Sequence, residues 1–244
     1  WRGLSGIFWV TAALGVAGIA ITLTLVPTPV HQIAIGPRGS VLQLFRRVLA
    51  DRELLRLDLG IFALHAVLTA SFLIVPHQLA TIFKTSAVSG WRIYLPILLV
   101  SIALMVPAVA LSEARGRMKA VLVSAIVVLA ASLLGLWAAN GQAAGFIALS
   151  GFFAAFNVME AILPSLVTKT APPHAKGAAT GLYSSSQFLG IFAGGAGGGW
   201  VLTTWGARGV WLFTVAVTMA WLLAALTMRR PIQRPVSPRG NEAG

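Results

Sequence analysis

Only six carboxylates occur in 244 residues, and Glu160 has the most chemical promise among them. At 100° per residue, Phe153, Phe156, Asn157, Glu160 and Pro164 fall on one helical face. That face joins an acid, an amide and two aromatic rings. Glu160 sits about eight residues, or roughly 12 Å, inside an apolar segment. An acid at such depth costs about 3 kcal/mol to insert in lipid, so it must face a cavity or a partner. There a carboxyl can take up and release a proton. It can equally tie helices together through Asn157, a neighbouring backbone or a basic partner, and both readings stay open. Pro164 lacks an N–H, which frees the carbonyl of Glu160 and bends the helix locally.

A second face carries Asp58, Phe62, His65, Thr69, Phe72 and Pro76, all within about 40° of one direction. His65 lies near the middle of its segment and has the chemistry of a proton relay, its ordinary pKa being about 6.5. A buried histidine that is merely hydrogen-bonded is the plainer alternative. Asp58 stands at the polar boundary, where an ionic latch toward the preceding arginines or toward another part of the protein is expected. A third stretch repeats Gly190, Gly194 and Gly198 at i, i+4, with Tyr183, Ser186 and Gly197 close to the same face. Small residues at this spacing let two helices approach closely, as a sliding seam or as static packing. Gln187, one turn from Tyr183, offers a polar group to a cavity. The glycines do not cradle phosphate, since no strand precedes them and no Lys-Ser/Thr follows. The short loop Glu113, Arg115, Gly116, Arg117, Lys119 is either a solvated basic turn or a charge latch.

Other chemistries are poorly served. Cysteine is absent, and His31, His65, His77 and His174 are too scattered for a metal motif. No metal or other cofactor is expected. Ser184–Ser186 could mimic a nucleophile, but no histidine lies in a later segment to act as base. An intramembrane enzyme is therefore a remote alternative, as is a seven-helix receptor; a retinal receptor would need a lysine in the last span.

These residues need helices in lipid to position them. Apolar types make up 57% of the chain, charged types 10%, and mean hydropathy is +0.86. The apolar residues come in blocks of about twenty, enough to cross roughly 30 Å of hydrocarbon as helix. They do not alternate as barrel strands would. The expected fold is all-α with seven transmembrane helices at 5–26, 58–76, 92–111, 120–139, 143–168, 178–203 and 209–228. The 27–57 segment is expected to be a cytoplasmic linker whose residues Val41, Leu42, Leu44, Phe45, Val48 and Leu49 form an amphipathic surface helix. Residues 58–228 form a six-helix bundle and 229–244 a cytoplasmic tail. The net charge of +12 does not point to nucleic acid, because basic residues collect between spans. Fourteen fall on the side of the linker and only Arg2, Lys84, Arg92 and Arg208 on the other. That places linker and C-terminus in the cytoplasm, with Trp1, Trp91, Trp137, Trp200, Trp205 and Trp211 near the outer boundary.

Three stretches carry a family resemblance. Ser112-Glu113-Ala114-Arg115-Gly116-Arg117-Met118-Lys119 resembles the second-half copy of the loop motif of the major facilitator superfamily, matching at Glu113, Gly116, Arg117 and Lys119. Ala114 departs where a basic residue is usual, and Val109 stands where the leading Gly would be. Phe156 to Leu166 and Lys176 to Trp200 are similar to the proton-coupled drug-antiporter group and its YajR-like branch, and residues 1–27 resemble the sixth helix of that fold. The resemblance implies a partial major facilitator fold, helix 6 plus the C-terminal six-helix bundle, with the rest of the N-terminal half lying outside this sequence. It implies alternating-access transport in a bacterial inner membrane, with proton-coupled efflux of a hydrophobic or drug-like solute as the leading expectation and a metabolite uniporter or symporter as the alternative. The expected partners are lipid, a small solute, protons and that N-terminal half. The implied proton or solute residues are Glu160, Asn157, His65, Phe153, Phe156, Thr69, Gln187 and Tyr183. The gate would be Glu113, Gly116, Arg117, Lys119 and Asp58, and the packing seam Gly190, Gly194 and Gly198. A Gly-Pro signature of the fifth helix, which marks antiporters, does not fall within this sequence.

Overall fold

A computed structural model describes residues 3–26, 41–84 and 90–228. The expected linker segment 27–40 with Arg38, and the tail 229–244 with its arginines, lie outside the described residues. The chain divides into two units, residues 1–38 and 39–244. In the first, α1 (Gly3–Leu25) is apolar all round, as a helix surrounded by lipid or by other apolar helices must be.

The second unit begins with α2 (Val41–Ala50), the expected amphipathic helix. Its Val48 is buried, with Leu44 packed beside it. The next helix, α3 (Arg52–Ser71), starts six residues earlier than the apolar block indicated. Asp51 is the reason: its Oδ1 accepts from the backbone N–H of Glu53 (2.8 Å) and Leu54 (3.3 Å), capping a charged first turn. The expected span 58–76 is also broken before its end. Pro76 cannot donate, and its ring excludes the carbonyl of Phe72 from a helical position, so the chain turns through 72–74 and resumes as α4 (Val75–Phe83).

Then follow α5 (Trp91–Ala114), α6 (Met118–Ala138), α7 (Gln142–Thr170), a 3-10 turn at Pro173–Ala175 and α8 (Lys176–Leu226). Among the described residues six helices are long and apolar enough to cross a membrane, where the sequence indicated seven spans. The difference lies in α8, whose 51 residues are continuous except at Gly206 (φ 68, ψ −169), a conformation open to little but glycine. A straight helix would hold Gly197 and Phe213 about 24 Å apart. Instead, a Cβ on Gly197 would lie 3.5 Å from the Phe213 ring. The chain doubles back at Gly206, and the two arms of α8 are the two spans expected at 178–203 and 209–228.

Side-chain contacts fix the directions within this unit. Gly190 meets Phe62, Gly194 meets Ala66 and Gly198 meets Ala70, so the first arm of α8 runs parallel to α3. Trp221 meets Gly60, so the second arm returns antiparallel. Gly151 and Gly135 meet Ser132 and Ala148, which makes α6 and α7 antiparallel. One end of the unit thus gathers Arg46, Arg47, Arg52, Arg56, Arg115, Arg117, Lys119, Lys169 and Lys176, and the other Lys84, Arg92 and Arg208. Trp91, Trp137, Trp200 and Trp205 mark the less basic end, with Trp200 and Trp205 ring to ring at 5.4 Å. Trp211, three residues after Arg208, is buried among the helices rather than exposed.

Candidate functional site

Glu160 and His65 come from different helices, α7 and α3, and meet inside the bundle. The Glu160 Oε1 lies 3.7 Å from His65 Nδ1 and has no hydrogen-bond partner among the described residues. On its other side the imidazole is held by Gln187 from α8, Nε2 to Nε2 at 2.9 Å. An amide nitrogen can only donate, so the His65 Nε2 accepts and the neutral ring carries its proton on Nδ1. In that tautomer Nδ1–H donates to the carbonyl of Ile61, 3.3 Å away, and the Glu160 carboxylate lies just beyond hydrogen-bond reach. Phe156 sets its ring against His65 at 5.7 Å and 62°, closing one flank. Thr69, one turn beyond, donates to the carbonyl of His65 at 2.9 Å, and its methyl lies 3.6 Å from where a Cβ on Gly195 would stand.

Tyr183 is buried on the same arm of α8 as Gln187, within electrostatic reach of both Glu160 and Asp58. Asp58 is itself buried, and its Oδ2 is unpartnered among the described residues. No ion pair joins it to a described linker arginine: Arg56 bonds instead to Glu53, three residues before it. The expected surface latch is therefore an interior carboxylate, because α3 begins early and carries Asp58 nearly two turns inside the helix.

Asn157 separates from Glu160 although both lie on one side of α7. Its Nδ2 donates to Ser101 Oγ at 2.9 Å, tying α7 to α5. Phe153 packs on Phe72 (5.9 Å) and Phe152 (5.6 Å), and Phe72 reaches Tyr94 (6.5 Å). These rings extend the aromatic wall begun by Phe156. Ser101 and Tyr94 escaped the sequence reading; a hydroxyl in the middle of an apolar block is the signal that could have found Ser101.

The loop residues sit at the basic end. Glu113 Oε1 accepts from Lys169 Nζ (3.0 Å) and Ser165 Oγ (3.2 Å), both on α7. Its partners here belong to the same helical unit. Gly116 has φ 61, the left-handed conformation that turns the chain between α5 and α6. Arg117 is the residue before α6. Lys119 Nζ donates to the carbonyl of Leu226 at 2.9 Å and to that of Met228, neutralising the open end of α8. The glycine seam is closely packed: a Cβ on Gly190 or Gly194 would stand 2.3 Å from the carbonyl oxygen of Phe62 or Ala66. Among the described residues no three His, Asp or Glu side chains gather in a way that could hold a metal ion.

Residues 57–244 match the family model described as Major Facilitator Superfamily. The chain is 36% identical to the inner membrane transport protein YajR of Escherichia coli (strain K12) over 249 aligned positions, covering 99% of this chain and 55% of that protein. It is 28% identical to an uncharacterized transporter of Buchnera aphidicola subsp. Baizongia pistaciae, over 75% of this chain and 47% of that one. A transporter of the subspecies Acyrthosiphon pisum is 27% identical over 79% and 50%. The chain spans about half the length of the curated relatives it matches.

Proposed function

The chain belongs to the Major Facilitator Superfamily, and from that premise we propose that the whole protein moves a hydrophobic or drug-like solute across the bacterial inner membrane by alternating access, in exchange for protons. The observation that carries this reading is a carboxylate oxygen of Glu160 inside the helix bundle, 3.7 Å from an imidazole nitrogen and without a hydrogen-bond partner among the described residues. Such a pair can bind one proton more or fewer with little rearrangement of backbone. Each change alters the charge of a face lined by Phe72, Phe153 and Phe156. Aromatic walls accept apolar solutes through area and cationic ones through their ring faces. A protonated pair would disfavour a cationic solute and a deprotonated carboxylate would favour it, which is the competition that exchange requires. Conformational cycling needs only that proton and solute bind the inward- and outward-open states unequally.

The test uses full-length protein in proteoliposomes with a fluorescent lipophilic cation such as ethidium. Ethidium added to one face is expected to evoke proton movement the opposite way, and Glu160→Gln is expected to abolish it while the protein still inserts and folds. Dye-evoked proton flux that survives this substitution removes Glu160 from coupling. Dye movement with no proton movement in the unmodified protein points to uniport instead.

A further inference from the structure

The short helix α2 presents a surface that the transport reading does not use. Its buried side, Leu44 and Val48, is riveted to the six-helix unit. On the outward side, Leu42 and Leu49 are exposed at 60% and 48%. At 100° per residue these two leucines lie within about 20° of each other, with Arg46 beside them and Arg47 farther round past Gln43. The outward surface therefore grades from apolar on one flank to cationic on the other. Among the described residues neither Arg46 nor Arg47 is in an ion pair, and the same is true of Arg52, the first residue of α3.

The level of this surface in the bilayer follows from α3. Below Arg52, the exposed side chains of α3 are Leu55 (40%) and Leu59 (46%), which mark the start of hydrocarbon. Arg52 thus stands at the boundary, and α2, ending at Ala50 only two residues before, lies at head-group height. We propose that α2 and the start of α3 form a docking surface for anionic phospholipid, with Leu42 and Leu49 set among the upper acyl carbons and Arg46, Arg47 and Arg52 over the phosphates. Charge complementarity selects the head group, since three arginines with no acidic partner among the described residues gather here, and guanidinium pairs with phosphate oxygens in bidentate fashion. Because Val48 fixes α2 to the bundle, bound lipid sets how deep this end of the bundle sits.

The 244 residues contain no cysteine, so single cysteines at 42, 43 and 49 can be spin-labelled in full-length protein carrying no other reactive cysteine. In bilayers of phosphatidylglycerol and phosphatidylcholine, labels at 42 and 49 are expected to collide more with oxygen than with a water-soluble nickel chelate, and a label at 43 to show the reverse. Native mass spectrometry then reads lipid preference. The triple variant R46Q/R47Q/R52Q is expected to lose preference for phosphatidylglycerol over phosphatidylcholine by roughly tenfold or more, while the corresponding triple lysine variant and R115Q/R117Q keep it. Water-type accessibility at 42 and 49, shielding from both quenchers by protein, or a preference unchanged in the triple glutamine variant overturns the proposal.

Discussion

Two half-buried polar contacts on α7, a turn apart, have opposite consequences for substitution. Asn157 and Ser101 make one hydrogen bond between helices, and such bonds in membrane proteins are worth about 0.6 kcal/mol on average. Asn157→Ala and Ser101→Ala are each expected to lower stability by about that amount, the double variant by no more than either single, and none to alter proton coupling. A thermal-unfolding double-mutant cycle on purified protein reads this, and full additivity would mean the two side chains act independently. His65 is different because Gln187 holds one ring nitrogen and the Ile61 carbonyl the other, with the Glu160 carboxylate 3.7 Å from the latter nitrogen. It is the only side-chain type in this cluster whose ordinary pKa lies between pH 5 and 8. His65→Asn keeps a polar group of similar size and is expected to flatten the pH dependence of dye-evoked proton flux over that range. A profile of the same shape in the variant removes His65 from the proton path. The sequence alone brought Glu160, His65 and Gln187 forward separately, as polar groups in apolar blocks. Their convergence depends on which faces three helices turn inward, and helical periodicity within one segment carries no information on the partner of that face. For the same reason periodicity groups Asn157 with Glu160, although the facing of α7 hands it to Ser101 on α5.

At the level of elements, the glycines of α8 divide by what lies opposite them. A methyl on Gly194 would stand 2.3 Å from the Ala66 carbonyl oxygen and 2.6 Å from its Cα, so the clash is with backbone and neither helix can give way without separating. Gly194→Ala is expected to destabilise by about 3 kcal/mol, the upper end of the usual cost of overpacking. Gly199, on the same arm, has nothing within 4 Å of its Cβ position. There an alanine is expected to be neutral or to stabilise by up to about 1 kcal/mol through helix propensity. Unfolding midpoints of the two variants in one detergent make the comparison, and equal midpoints would remove the seam as a packing contact. The i, i+4 glycine repeat was legible because small-residue spacing has a direct geometric meaning. The break after α3 was half legible: Pro76 was in view, but an apolar block conceals where its helix gives way. The early start of α3 was hidden for the opposite reason, since its first turn is charged and hydropathy assigns charge to loops. One capping aspartate outweighs that signal, and it carries Asp58 from the surface to the interior.

Across the whole molecule, the distribution of charge makes a statement about sidedness that packing alone does not. The described unit gathers nine basic residues at one end and three at the other, with the paired tryptophans at the less basic end. The bundle architecture was legible from apolar block length, and even the doubling back of α8 was anticipated as two spans, because a helix of about 76 Å cannot lie across a bilayer once. Which end faces the cytoplasm rests on the positive-inside bias. Single cysteines at Arg117 and Lys176 mark the basic end, and others at Lys84 and Arg208 mark the opposite one. In intact spheroplasts making the full-length protein, a membrane-impermeant maleimide is expected to label positions 84 and 208 at once and 117 and 176 only after permeabilisation. The four positions must divide two and two whichever way the protein is inserted, because helix directions are fixed by the contacts of α3, α7 and α8. Labelling of 117 and 176 from outside would reverse the orientation and leave the fold standing. A division that separates 117 from 176 would instead contradict the helix directions, and with them the meeting of Glu160, His65 and Gln187 on which the proposed proton coupling rests.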